Sequence, residues 1–168
     1  FIEAQEIKIE VTFEKHLQGK ILKALFENHV YEEVAHEVYD LQNTHQNIGL
    51  GRIGTFKDAL SEQDFMQLVK EKLQCEGIRH SKFLGKPIKK VAVLGGSGSF
   101  AIKDAIRSGA DAYITSDIKY HQFYEAENKL LLLDIGHFES ERYTKNYIVA
   151  FLKEKITNFA IILSDENT

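Results

Sequence analysis

From residue 88 to residue 163 short apolar runs and amphipathic stretches alternate without a break, and this regularity restricts the fold more than any other feature. The run Val91, Ala92, Val93, Leu94 has the continuous apolar character of a strand buried on both faces. Spacing then predicts strand 88–94, helix 99–108, strand 111–115, helix 119–128, strand 130–134, helix 139–154 and strand 158–163. Such alternation predicts an α/β layer with largely parallel strands, because a parallel pair needs a crossover that a helix can supply. Just upstream, Phe65, Leu68, Val69 and Leu73 form the apolar stripe of a helix over 61–75. Ser61 and Asp64 resemble a capping box at its start, with Asp in place of the longer Glu. A short extended piece at 78–83 precedes the only proline, Pro87.

The first third of the chain has a different rhythm. Ile7, Ile9, Val11 and Phe13 alternate with Lys8, Glu10 and Thr12, the period-two pattern of a half-buried strand. Leu17, Ile21, Leu22, Leu25 and Phe26 recur at helical spacing, and 34–41 returns to extended character, so this module is expected to be strand, helix, strand. Residues 42–54 are polar, and Gly49, Gly51 and Gly54 are turn signals, which places the expected junction near Gly54: a first module over 1–54 and a second over 55–168.

Composition narrows the class. With 168 residues, 43% of them hydrophobic, the chain can bury one good core and a smaller satellite. A net charge of -4 with interspersed signs, and a basic cluster no longer than Lys86, Lys89 and Lys90, argues against nucleic acid as a partner. Cys75 stands alone, so neither an intrachain disulfide nor a thiolate cage is available, a composition that suits a reducing cytoplasm. The longest apolar runs fall far short of the ~18 residues that span a bilayer, and no membrane segment is expected. The chain opens with Phe1 and its only methionine is Met66, so residue 1 is not expected to be a translation start.

Ligands of alternating α/β folds bind at the carboxyl ends of the strands, where strand-to-helix loops gather. Three such loops are expected to converge here. The first, Gly95-Gly96-Ser97-Gly98-Ser99, can turn sharply and present backbone N–H groups to a phosphate; it is equally readable as a tight turn without a ligand. In the second, Asp117 could orient water or a ligand, Lys119 could neutralise charge, and His121 could titrate near neutrality. The plainer alternative has Asp117 as a helix cap, Lys119 solvated and His121 packed on a helix. In the third, His137 and Glu141 stand four residues apart where a strand gives way to a helix, offering an imidazole and a carboxylate to zinc, manganese or iron. First-turn acids also favour a helix dipole without any metal, which accounts for Glu139 and Glu141 but not for His137. Two ligands do not complete a site, so further ones are expected from elsewhere.

Taken in order, Tyr31-Glu32-Glu33-Val34-Ala35, Gly49-Leu50-Gly51-Arg52-Ile53-Gly54, Gly95-Gly96-Ser97-Gly98, the stretch from Gly109 through Ser116-Asp117-Ile118-Lys119-Tyr120-His121, and Asp134-Ile135-Gly136-His137 with Ser140-Glu141 resemble the Nif-three-like dinuclear metal-centre family, also called GTP cyclohydrolase type-two homologues. The resemblance spans nearly the whole chain. It implies that 55–168 is the C-terminal half of the family's metal-binding lobe, with His137 and Glu141 matching its second-half metal ligands and the other two loops lining the same cleft. Residues 1–54 resemble the later part of an inserted ferredoxin-like module similar to PII and CutA proteins. The family's first half carries a paired-histidine motif, and no His-His pair occurs in this sequence, so half a metal site is expected here.

The same resemblance implies a ring-forming homo-oligomer and two divalent metal ions per complete site. A metal-dependent hydrolase of GTP cyclohydrolase or phosphoester type would use the metal pair to activate water. Lys119 and Gly95, Gly96, Ser97 and Gly98 would then hold a phosphate-bearing substrate while His121 or Asp117 moves the proton. A non-enzymatic metal or ligand carrier, sensor or assembly module is the alternative, and a packing fragment without activity of its own is a third.

Overall fold

The computed structural model describes residues 5, 7–43 and 48–164. The chain divides into two compact units, residues 1–44 and 45–168.

In the first unit, a 3-10 turn at Lys15–Leu17 leads into helix α1, Gln18–Asn28. The predicted helix is therefore present, but neither flanking segment, 7–13 or 34–41, joins a ladder among the described residues. Ile7, Ile9 and Val11 are exposed. Alternation sets which side chains share a face, whereas a strand also needs a hydrogen-bonding neighbour, and the local sequence does not specify one.

The second unit is built on a five-stranded sheet of β1 (Arg52–Leu60), β2 (Arg79–His80), β3 (Ile88–Ser97), β4 (Ala112–Ser116) and β5 (Leu131–Asp134), in the order β1-β3-β4-β5-β2. The central three strands are parallel, with Val91 opposite Ala112 and Ala112 opposite Leu131. Both edges are antiparallel: β1 pairs with β3, and β2 pairs with β5. Along β5 the pleat sends Leu131 and Leu133 to one face and Leu132 to the other, and all three are fully buried. One face packs Phe65 and Val69 of helix α2 (Glu62–Leu73) with Ile88, Ala112 and Ile114. The other packs Ile102 and Ala105 of helix α3 (Ile102–Arg107) with Ala92 and Tyr113. A parallel strand covered on both faces has no solvent side, hence the unbroken apolar runs.

Helix α2 starts as expected. Ser61 Oγ accepts from Asp64 N at 3.1 Å, and the shorter Asp64 carboxylate returns to the Ser61 hydroxyl at 2.7 Å. Elsewhere the helical segments are shorter than their periodicity predicts. The stretch expected at 119–128 is a 3-10 segment, Tyr120–Ala126, in which Phe123 and Ala126, three apart, pack on the core. Helix 139–154 is two helices, α4 (His137–Glu141) and α5 (Thr144–Lys155). At the break, Arg142 donates to Gln74 O and Tyr143 OH to Lys72 O at 3.1 Å, so contacts with the end of α2 fix where the chain turns. The segment 158–163 forms no strand among the described residues, and Phe159 and Ile162 are exposed. Strand β1 was hidden in the sequence because, as a mostly exposed edge strand, it has little apolar alternation. Among the described residues no helix is long and apolar enough to cross a membrane.

Candidate functional site

Parallel strands β3, β4 and β5 end side by side, and within two residues of each end stands one that departs from ordinary backbone geometry. Gly96 has φ +71°, Asp117 φ +57° and Gly136 φ +92°. These left-handed positions turn the chain abruptly off the sheet, which glycine tolerates without a Cβ penalty and Asp adopts more readily than most residues. Gly136 in this way directs His137 into the first turn of α4.

The three loops meet at His137. Its Nδ1 lies 2.6 Å from Asp117 Oδ2, and its Nε2 lies 3.2 Å from Glu141 Oε2, one helical turn away on α4. Gly96 closes the third side: its N–H donates to Ser140 Oγ at 2.8 Å, and a Cβ there would overlap Glu141 Oε1 and sit 3.6 Å from His137 Cε1. Ser140 Oγ in turn donates to His137 O at 2.8 Å. The cluster faces solvent, with about half of each of the Asp117, His137 and Glu141 side chains exposed.

The proton positions follow from chemistry. An ionised carboxylate only accepts, so Nδ1 carries the hydrogen that bonds Asp117. In the neutral ring the Nε2 lone pair then points toward another carboxylate, an arrangement that favours a cation between them. A proton is one such cation: bonding to Asp117 raises the His137 pKa above the ordinary histidine value, against partial desolvation, with the charges of Asp117 and Glu141 adding to the rise.

Of the residues singled out by sequence, Asp117, His137, Glu141 and Gly96 are thus in one cluster. Gly95 abuts the same helix, its Cβ position lying 3.3 Å from Ser140 O. Gly98 lies beneath, where its carbonyl accepts from Tyr113 OH at 2.9 Å, and Ser97 sits in β3 opposite Ser116. Lys119 and His121 are exposed, and among the described residues no side-chain hydrogen bond or ion pair ties either to the cluster. Among the described residues, no three His, Cys, Asp or Glu side chains gather about one point as a metal site would need. A shallow depression of about 640 Å³ over β1 and β3, lined by Ile48, Leu50, Val93 and Phe100, contains none of these residues. The convergence of polar groups, not concavity, marks the candidate site.

Sequence reading overlooked Ser140 as the partner of Gly96 N and missed the roles of Asp134 and Arg79. Asp134 is buried and accepts from Ile118 N at 2.9 Å, from Gly136 N at 3.1 Å and from the Arg79 guanidinium. A carboxylate closing an all-apolar run was the available signal for Asp134; nothing local pointed to Arg79.

Fold and site together define an α/β domain with a histidine–carboxylate cluster at the carboxyl ends of its parallel strands. The chain belongs to the Duf34/NIF3 (NGG1p interacting factor 3) family, whose model matches residues 4–168. It is 38% identical over 134 residues to the GTP cyclohydrolase 1 type 2 homolog of Bacillus subtilis, covering 79% of this chain and 36% of that protein. Its identity to the protein of the same name from Halalkalibacterium halodurans is 32% over 168 residues, or 98% of this chain and 45% of the relative. Among solved structures, a Bacillus cereus protein related to NIF3 superposes with a TM-score of 0.70 at 35% identity, covering 91% of this chain and 43% of that one. A Staphylococcus aureus protein gives 0.74 at 25% identity, covering 95% and 53%. The chain therefore spans less than half the length of these curated relatives.

Proposed function

We propose that this chain supplies half of a divalent-metal site, with Nε2 of His137 and the Glu141 carboxylate as its ligands and Asp117 as the group that orients the imidazole. The observation that carries this reading is the 3.2 Å approach of Nε2 to Glu141 Oε2 while Nδ1 is occupied by Asp117. Two donors at about 2.0–2.1 Å from one zinc at a tetrahedral angle lie roughly 3.4 Å apart, so the pair spans what one ion needs. A ligating histidine usually gives its other N–H to a carboxylate, the part Asp117 plays here. Gly96 leaves room for Glu141 that any larger residue would remove. The remaining ligands and the second metal come from sequence beyond this chain or from another copy of it.

A divalent cation held there supplies Lewis acidity to a substrate oxygen or to water, whether the metal is zinc, manganese or iron. The chain's own residues would do the rest. Asp117 would hold the proton on Nδ1, leaving Nε2 free to ligate, and His121 or Asp117 would move the proton of the reaction. The Gly95, Gly96, Ser97, Gly98 loop and Lys119 offer N–H groups and a cation to a phosphate-bearing substrate. This supports a metal-dependent hydrolase of cyclohydrolase or phosphoester type in the complete protein. The family resemblance also supports residues 1–54 as the later part of a PII/CutA-like module, residues 55–168 as the half-lobe, a ring-shaped homo-oligomer and a cytoplasmic setting.

The test is metal content by elemental analysis of the full-length protein beside folded His137→Ala and Glu141→Ala variants. Near-stoichiometric metal reduced in both variants supports the site. Equal metal in all three proteins removes these residues from it.

A further inference from the structure

Asp134 ends β5 with its side chain 5% exposed, yet its carboxylate is fully engaged. Oδ2 accepts from Ile118 N at 2.9 Å and from the Arg79 guanidinium; Oδ1 accepts from Gly136 N at 3.1 Å. Arg79, paired with Asp134 across β2 and β5, also donates to the Ile118 carbonyl. Ile118 directly follows Asp117, and Gly136 directly precedes His137. One buried carboxylate therefore ties down the neighbours of both partners in the 2.6 Å Asp117–His137 bond.

Asp117 needs such a tie. Its left-handed backbone, φ +57°, is disfavoured for a residue with a side chain, so a loop without external bonds would tend to relax out of it. With Ile118 held at both its N–H and its carbonyl, the strained residue has a fixed exit, and its carboxylate is aimed at the imidazole. We infer that Asp134, locked by Arg79, is the positioning residue that sets the Asp117–His137 hydrogen bond and thereby the tautomer of His137. The consequence for metal affinity rests on the reading of His137 as a ligand; the positioning does not.

Two measurements on the full-length protein separate these. Long-range proton–nitrogen NMR of the metal-free protein, at a pH where His137 is neutral, reads its tautomer. Competition with a chromophoric chelator reads zinc affinity. Asp134→Asn can keep the amide oxygen on the Ile118 and Arg79 side and is expected to retain the Nδ1–H tautomer. Asp134→Ala and Arg79→Met are expected to shift the ring several-fold toward Nε2–H and to weaken zinc about 10–100-fold. A merely structural residue would lower the denaturation midpoint without moving the tautomer. An unchanged tautomer in folded Asp134→Ala or Arg79→Met protein overturns the inference, and Arg79→Met decides if Asp134→Ala does not fold. A shifted tautomer in a protein that binds no zinc even before mutation upholds the positioning and refutes the metal reading.

Discussion

Asp117 Oδ2 stands 2.6 Å from His137 Nδ1 although twenty positions separate the two residues, one leaving β4 and the other entering α4. The contact joins two loops and fixes how the imidazole meets Glu141. It also gives the site a pH dependence of known sign.

His137 titrates above the ordinary histidine value, chiefly because Asp117 accepts its N–H. Its folded pKa is thus raised over the unfolded one. The resulting stabilisation is complete below the unfolded pKa and is lost as pH rises through the folded pKa. Zinc affinity should run the other way, gaining up to about tenfold per pH unit until His137 is neutral and then levelling, because the ligating nitrogen must lose its proton. Asp117→Asn should bring the His137 titration back down, as followed by NMR.

Gly96→Ala should displace Glu141. The added methyl overlaps Glu141 Oε1, and φ at this position is +71°. Left-handed backbone costs a non-glycine residue about 1–2 kcal/mol, so a lower urea midpoint is expected together with weaker metal retention. Retained metal with a lowered midpoint alone would show that Glu141 moves without consequence.

Glu62 anchors the chain ahead of β3. It is buried, and its two carboxylate oxygens accept from Leu84 N and Gly85 N, each at 2.8 Å. Glu62→Ala leaves both donors without this partner and should cost about 1–3 kcal/mol in chemical denaturation. Metal binding should be unchanged in the folded variant.

Leu131→Ala tests the core directly. The side chain is fully buried among Phe65, Val91 and Ala112 neighbours on the α2 face of the sheet. Truncation should cost about 2–5 kcal/mol, read from the shift in urea midpoint. A loss under 1 kcal/mol would mean that the face repacks freely.

The central strands, the capped start of α2 and the His137–Glu141 spacing were all legible in the sequence. Each is a local property: a strand buried on both faces must be apolar throughout, Ser61 must meet a donor three residues on, and i,i+4 residues share a helix face. The alternation also placed the three loops at one sheet edge. Tertiary structure alone decided the rest. It made β1 an antiparallel edge, split the last long helix where Arg142 and Tyr143 reach the end of α2, and left 158–163 out of the sheet among the described residues. It also aimed Asp117 at His137, set Ser140 on Gly96, and bound both loops to Asp134 and Arg79. Those partners lie from two to 55 residues apart, and their meeting depends on where two turns leave a folded sheet, which local periodicity does not encode.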